Sequence, residues 1–134
     1  MPQLAALRVA WKPRILSILR IMTGLLYLQH GLSKVFGFPP SANPHPYVLM
    51  TLVPGLAGLL ELIGGALMTV GLFTRIVAFI LSGEMAFAYF MAHAPRSMFP
   101  FVNGGELAVL YCFVFLYFVF AGPGPWSLDH MRKG

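Results

Sequence analysis

Gly55–Leu72, GLAGLLELIGGALMTVGL, is followed at once by Phe73-Thr74-Arg75 and then by Ile76–Ala94, IVAFILSGEMAFAYFMAHA. Each apolar run is about long enough, as a helix, to cross the hydrocarbon core of a bilayer, which takes about 20 residues. Three residues between them leave room only for a tight reversal, so the two runs form an antiparallel hairpin. Two further apolar runs flank it, Ile15–Phe36 and Gly104–Gly122. The expected fold is therefore all-α. It is a four-transmembrane-helix bundle over 15–122, with helices at about 15–36, 55–72, 76–94 and 104–122. A basic segment, 1–14, precedes it and a tail, 123–134, follows.

Composition supports this reading. Of 134 residues, 58% are hydrophobic and 10% charged. A soluble domain carries about 25% charged residues, so this chain cannot cover a water-facing surface with them. Disorder needs low hydrophobicity and high net charge, and is excluded. A single cysteine excludes an internal disulfide, a CxxC pair and a cysteine zinc site, and no metal site is expected.

The net charge of +5 sets topology; it is not a nucleic-acid signal. With a cytoplasmic N-terminus, the inside collects Arg8, Lys12, Arg14, Arg75, Arg132 and Lys133, and the outside keeps Lys34 and Arg96. That asymmetry favours an N-in/C-in arrangement. The first run is not a cleaved signal peptide, because Arg20 interrupts it and no small-residue cleavage site follows. The link Phe38–Pro46 is too rich in proline to be helical. His45 within it is expected to be solvated. Tyr47–Val53 is expected as a short helix at the membrane interface. Glycines crowd the second run at 55, 58, 64, 65 and 71, which favours close helix packing.

The ionisable residues inside the runs carry the functional information. A charge at the bilayer centre costs about 3 kcal/mol on insertion scales, so isolated charges need partners. Of four acids, Glu61, Glu84 and Glu106 fall within expected spans. At about 100° per residue, Tyr27, His30 and Lys34 share one helical face with Arg20. Such a face must point into the bundle. Glu61 lies about 9 Å from the outer end of its helix, near the level of His30. Hence His30, Lys34, Glu61 and Glu106 are expected to form one polar cluster in the outer half, with Glu84 and His93 at its margins and Tyr27 a further candidate on the same face. Arg20 needs a carboxylate or backbone carbonyls. Arg75 is expected to snorkel to headgroups. Cys112 reads as a small buried side chain, and Phe113, Phe115, Tyr117, Phe118 and Phe120 as lipid-facing bulk. Gly122-Pro123 ends the last span, Ser127 and Asp129 cap a short turn, and Trp126 belongs to an interfacial aromatic belt.

These residues resemble a known family. The pattern Gly58-x-x-Glu61-x-x-Gly64-Gly65-x-Leu67-x-x-x-Gly71-x-x-Thr74-Arg75 is similar to the helix-two signature of the DoxX family of small bacterial inner-membrane proteins. His30-Gly31-x-x-Lys34, Gly105-Glu106 and Gly122-Pro123-Gly124-x-x-Ser127-Leu128-Asp129 fit the same family. The resemblance implies four membrane helices in the bacterial inner membrane. The family is named after a subunit of a thiosulfate:quinone oxidoreductase, and some members are linked with quinone or catechol response and with oxidative-stress partners. That points to a quinone-interacting subunit of a membrane redox system.

The chain departs from a self-sufficient redox enzyme. It has no cysteine pair, no nucleotide-binding glycine motif and no cluster ligands. Electrons would pass through a bound quinone or a partner subunit, and a protein partner or a homo-oligomer is expected. His30, Lys34 and Tyr27 are candidate donors to a quinone carbonyl, and Glu61 a candidate proton carrier. Two other classes stay open, a non-catalytic scaffold for a partner enzyme and a small proton-linked carrier. Haem held by His30 and His93 is a minor alternative.

Overall fold

The computed structural model describes residues 1–42 and 46–133, and His45 lies outside them. Among the described residues the secondary structure is helical. Helix α1 spans Pro2–Phe36, α2 Leu52–Val70, α3 Thr74–Arg96, α4 Pro100–Asn103, α5 Glu106–Ala121 and α6 Leu128–Lys133. Helices α1, α2 and α3 are long and apolar enough to cross a membrane, while α5 is apolar and has 16 residues. The surface confirms the solvent. Ile63, Ile76, Phe79, Phe90, Leu110 and Phe113 are all more than half exposed, a display that only lipid rewards.

Two boundaries differ from those the sequence suggests. Helix α1 starts at Pro2, so the basic segment 1–14 is its first turns. Proline at the first helical position is preorganised for the helix, and Pro13 is accommodated inside it. Tyr47–Met50 is irregular backbone and turn, not helix, and regular helical dihedrals begin only after Val53. Thr51 opens α2, its hydroxyl oxygen accepting from the Gly55 N–H at 3.2 Å.

Helix α1 packs along α2, and α3 along α5. The first contact is close because Gly24, Gly31 and Gly65 carry no side chain. A Cβ on Gly65 would stand 2.7 Å from Leu28 Cα, and one on Gly24 2.6 Å from the Thr69 backbone nitrogen. Small residues of this kind let membrane helices close backbone to backbone. The turn from α2 to α3 uses Gly71 at φ 72°, a left-handed conformation that costs glycine little. The core comprises Tyr27, Met68, Ala78, Leu81, Met85, Tyr111, Phe115 and Phe118 among others.

The aromatic run on α5 divides between two solvents. Phe113, Tyr117 and Phe120 face outward as expected, but Phe115 and Phe118 are fully buried. They continue the stripe of Ala108 and Tyr111 at helical spacing, so the face was periodic although every side of α5 is apolar. Cys112 is half-buried beside Ser82, whose hydroxyl donates to the Cys112 carbonyl at 2.8 Å.

Buried Arg20 fastens the end where α2 gives way to α3. It finds carbonyls, the second of the two solutions expected. Its guanidinium donates to Met68 at 2.9 Å and Trp126 at 2.7 Å, and also to Pro123 and Thr69. Trp126, half-exposed, also donates its N–H to Ser17 Oγ at 3.1 Å. Asp129 reaches back to cap α3, accepting from the N–H groups of Phe73 at 2.8 Å and Thr74 at 2.9 Å. Ser127 Oγ accepts from the His130 N–H at 3.1 Å and so caps α6. Arg75, expected to snorkel, instead donates to the Val119 and Phe120 carbonyls at the C-terminal end of α5. Those carbonyls have no helical partner, and a cation suits the negative pole there.

Candidate functional site

At the opposite end of the bundle, α1, α2, α3 and α5 enclose a cavity of about 370 Å³. This falls within the usual range for small-molecule sites. Its polar lining is Tyr27, His30, Lys34, Glu61, Glu84, His93 and Tyr111; its apolar walls include Val53, Ala57, Met85, Ala88, Leu107 and Ala108. Six of the seven residues singled out in the sequence therefore meet around one space. The seventh, Glu106, does not line it. It is exposed in the first turn of α5, where a carboxylate suits the positive helix pole.

The close α1–α2 contact positions the central pair. Gly31 lies directly against the backbone of Glu61 and Leu62. One turn later, Lys34 Nζ donates to Glu61 Oε1 at 2.9 Å. Glu61 is 3% exposed, and its second oxygen, Oε2, is buried with no hydrogen-bond partner among the described residues. Leaving a buried acceptor unpaired costs about 1–3 kcal/mol, more for a charged group, so such an atom calls for an explanation.

Tyr27 and Glu84 form the second pair, the hydroxyl donating to Glu84 Oε1 at 2.5 Å. The Tyr27 ring is fixed by edge contacts with Tyr111 and Phe115, at centroid separations of 5.0 and 4.9 Å. His30 meets the Tyr111 ring edge to face at 6.0 Å. These rings give the floor of the cavity a rigid aromatic character.

The end of α3 and the segment leading to α5 border the cavity through Ala92, His93 and Gly104. Helix α3 widens into a π-helical turn at Tyr89–His93, which brings Ala92 and His93 to the cavity wall. Such widened turns recur at functional sites. His93 Nδ1 pairs with the Asn103 carbonyl at 3.1 Å. Buried Asn103 organises this loop. Its side-chain amide donates to Tyr89 Oη and the Ser97 carbonyl, and its oxygen accepts from the Gly105 N–H.

Sequence reasoning missed Tyr111 and the organising role of Asn103. Tyr111 was hidden in an apolar helix, but its hydroxyl was a signal. Among the described residues no group of three or more His, Cys, Asp and Glu stands close enough to hold a metal.

Residues 15–94 match the family model described as DoxX. A protein of Haemophilus influenzae described as uncharacterized is 43% identical over 123 residues, covering 90% of this chain and 92% of its own. A Mycobacterium tuberculosis protein described as an uncharacterized membrane protein is 29% identical over 142 residues, covering 87% of this chain and 80% of its own. No solved structure gives a significant match. The family match spans α1 from Ile15, all of α2 and most of α3, which carry every polar residue of the cavity except Tyr111; the chain belongs to the DoxX family.

Proposed function

We propose that the cavity binds a quinone-type ligand and that the protein serves as the quinone-interacting subunit of a membrane redox system. The observation that carries this reading is Glu61 Oε2, a buried oxygen without a partner at the wall of a largely apolar, aromatic-floored space. The donor set fits such a ligand. Lys34 has two N–H groups beyond the one given to Glu61, and His30 and Tyr111 add further donors. Quinone headgroups supply paired electron and proton transfer when bound. The residues of this chain would hold and orient the headgroup and exclude water. Glu61 Oε2 would accept a hydroxyl hydrogen bond or proton, and the Tyr27–Glu84 pair would extend the proton path. With a cytoplasmic N-terminus the cavity opens toward the outer face of a bacterial inner membrane, and a partner subunit would exchange electrons with it.

Native mass spectrometry of protein extracted gently from its own membrane tests the reading. A quinone-mass adduct, lost in Glu61→Gln, is expected. An adduct undiminished in that variant removes Glu61 from the site, and a protein carrying only another polypeptide favours the scaffold. Two carboxylates at one cavity also suit a proton-linked carrier; ligand-dependent proton flux in vesicles would favour that instead.

A further inference from the structure

The end of the bundle opposite the candidate site holds a second and larger cavity, of about 660 Å³. It lies where α3 begins and α5 ends, so it sits at the depth where a spanning helix meets lipid headgroups. Arg75, Arg132 and Lys133 line it. Three of the α1 cations, Arg8, Lys12 and Arg14, belong to the same end. Of the chain's four acids only Asp129 is here, since Glu61 and Glu84 line the other cavity and Glu106 opens α5. Both Asp129 oxygens are already engaged by the N–H groups of Phe73 and Thr74.

Two of these cations are held in place. The Arg132 guanidinium stands over the Phe73 ring at 5.0 Å, and Arg75 is anchored on two α5 carbonyls. Next to this charge the wall is apolar, with Phe73 and Ile76 at least half exposed. A free phosphate ion would use the cations but not these two side chains. A phospholipid uses both.

We propose that this cavity seats the headgroup of an anionic phospholipid, its phosphate facing Arg75, Arg132 and Lys133 and its chain running down past Phe73 and Ile76. Charge complementarity selects the lipid: juxtamembrane cations attract anionic headgroups, and a cavity concentrates that attraction at one place.

The test titrates the whole protein with phosphatidylglycerol or phosphatidylcholine and counts bound lipids by native mass spectrometry. Wild type should retain one phosphatidylglycerol in preference to phosphatidylcholine. Arg132→Gln combined with Lys133→Gln should weaken that retention about tenfold or more. Both side chains lie in the exposed α6, and losing the Arg132–Phe73 contact at such a site should cost little, so the variant should stay folded, which its melting curve checks. Arg8→Gln combined with Lys12→Gln removes equal charge from the same end but outside the cavity, and should retain the lipid. Equal losses in the two double variants would overturn the proposal in favour of general surface charge. Equal retention of the two lipids would overturn it too, as would displacement by inorganic phosphate at matched ionic strength.

Discussion

At the scale of single residues, the polar groups of this chain act in two ways. Arg20 spends its planar fork on backbone carbonyls from α2 and the tail, joining parts of the chain about 50 and 100 positions away. It is structural because its hydrogen bonds stay inside the protein. Glu61 differs, because one of its oxygens finds no partner among the described residues. Asp129 belongs with Arg20. Burial pushes its carboxyl up, but the Thr74 and Phe73 N–H groups, with Thr74's side chain and the Arg132 charge, together hold it below the ordinary carboxylate value. A lowered folded value stabilises above the unfolded pKa of about 3.9 and is lost as pH falls through the folded one. Replacing Asp129 by alanine should therefore cost about 1 kcal/mol at neutral pH, typical of a lost cap. Melting curves of wild type and variant in detergent should converge as pH drops below about 4. A constant gap down to pH 2 would show that the cap does not depend on the ionised carboxylate.

At the scale of elements, the α1–α2 contact sets the geometry of the site. Its glycines were legible as a packing signal, and the inward face of α1 was legible from the spacing of Arg20, Tyr27, His30 and Lys34. Two substitutions separate packing glycines from incidental ones. Gly65→Ala would drive a methyl into Leu28 backbone atoms, which cannot swing aside. A cost of about 1–3 kcal/mol is expected, with loss of the Lys34–Glu61 distance. Gly83→Ala, in α3, meets nothing within 4 Å and should raise the melting temperature, since alanine gains about 0.5–1 kcal/mol over glycine inside a helix. Thermal unfolding of the two variants checks both signs. Glu106 shows where this kind of reading fails. Its sequence position put it at the correct end of the bundle, but periodicity on an all-apolar helix such as α5 does not reveal which side faces inward.

For the whole molecule, composition and four apolar runs made the class readable, and hairpin length made the connectivity readable. What stayed hidden depends on contacts between distant segments: the carbonyls chosen by Arg20 and Arg75, and the basic cavity built from α3, α5 and α6. No local pattern encodes such meetings. Orientation is a property of the whole chain and can be tested as one. In a Cys112→Ala background, a cysteine placed at Ser97 should react with a membrane-impermeant maleimide in intact cells, and one placed at Lys133 should react only after lysis. The reverse pattern would invert the proposed N-in/C-in arrangement.

The 16 residues of α5 measure about 24 Å, some 6 Å less than an average hydrocarbon core. Its outward side chains, Leu110, Phe113 and Phe120, are strongly exposed. Lipids along that flank would have to shorten or tilt to meet a spanning α5, and each ångström of mismatch carries a small penalty. Set across a bilayer as the fourth helix, α5 would give the protein a flank on which the bilayer thins. Flanks of that kind attract one another because sharing a thinned patch reduces the total deformation, and they favour thin regions of membrane over thick ones.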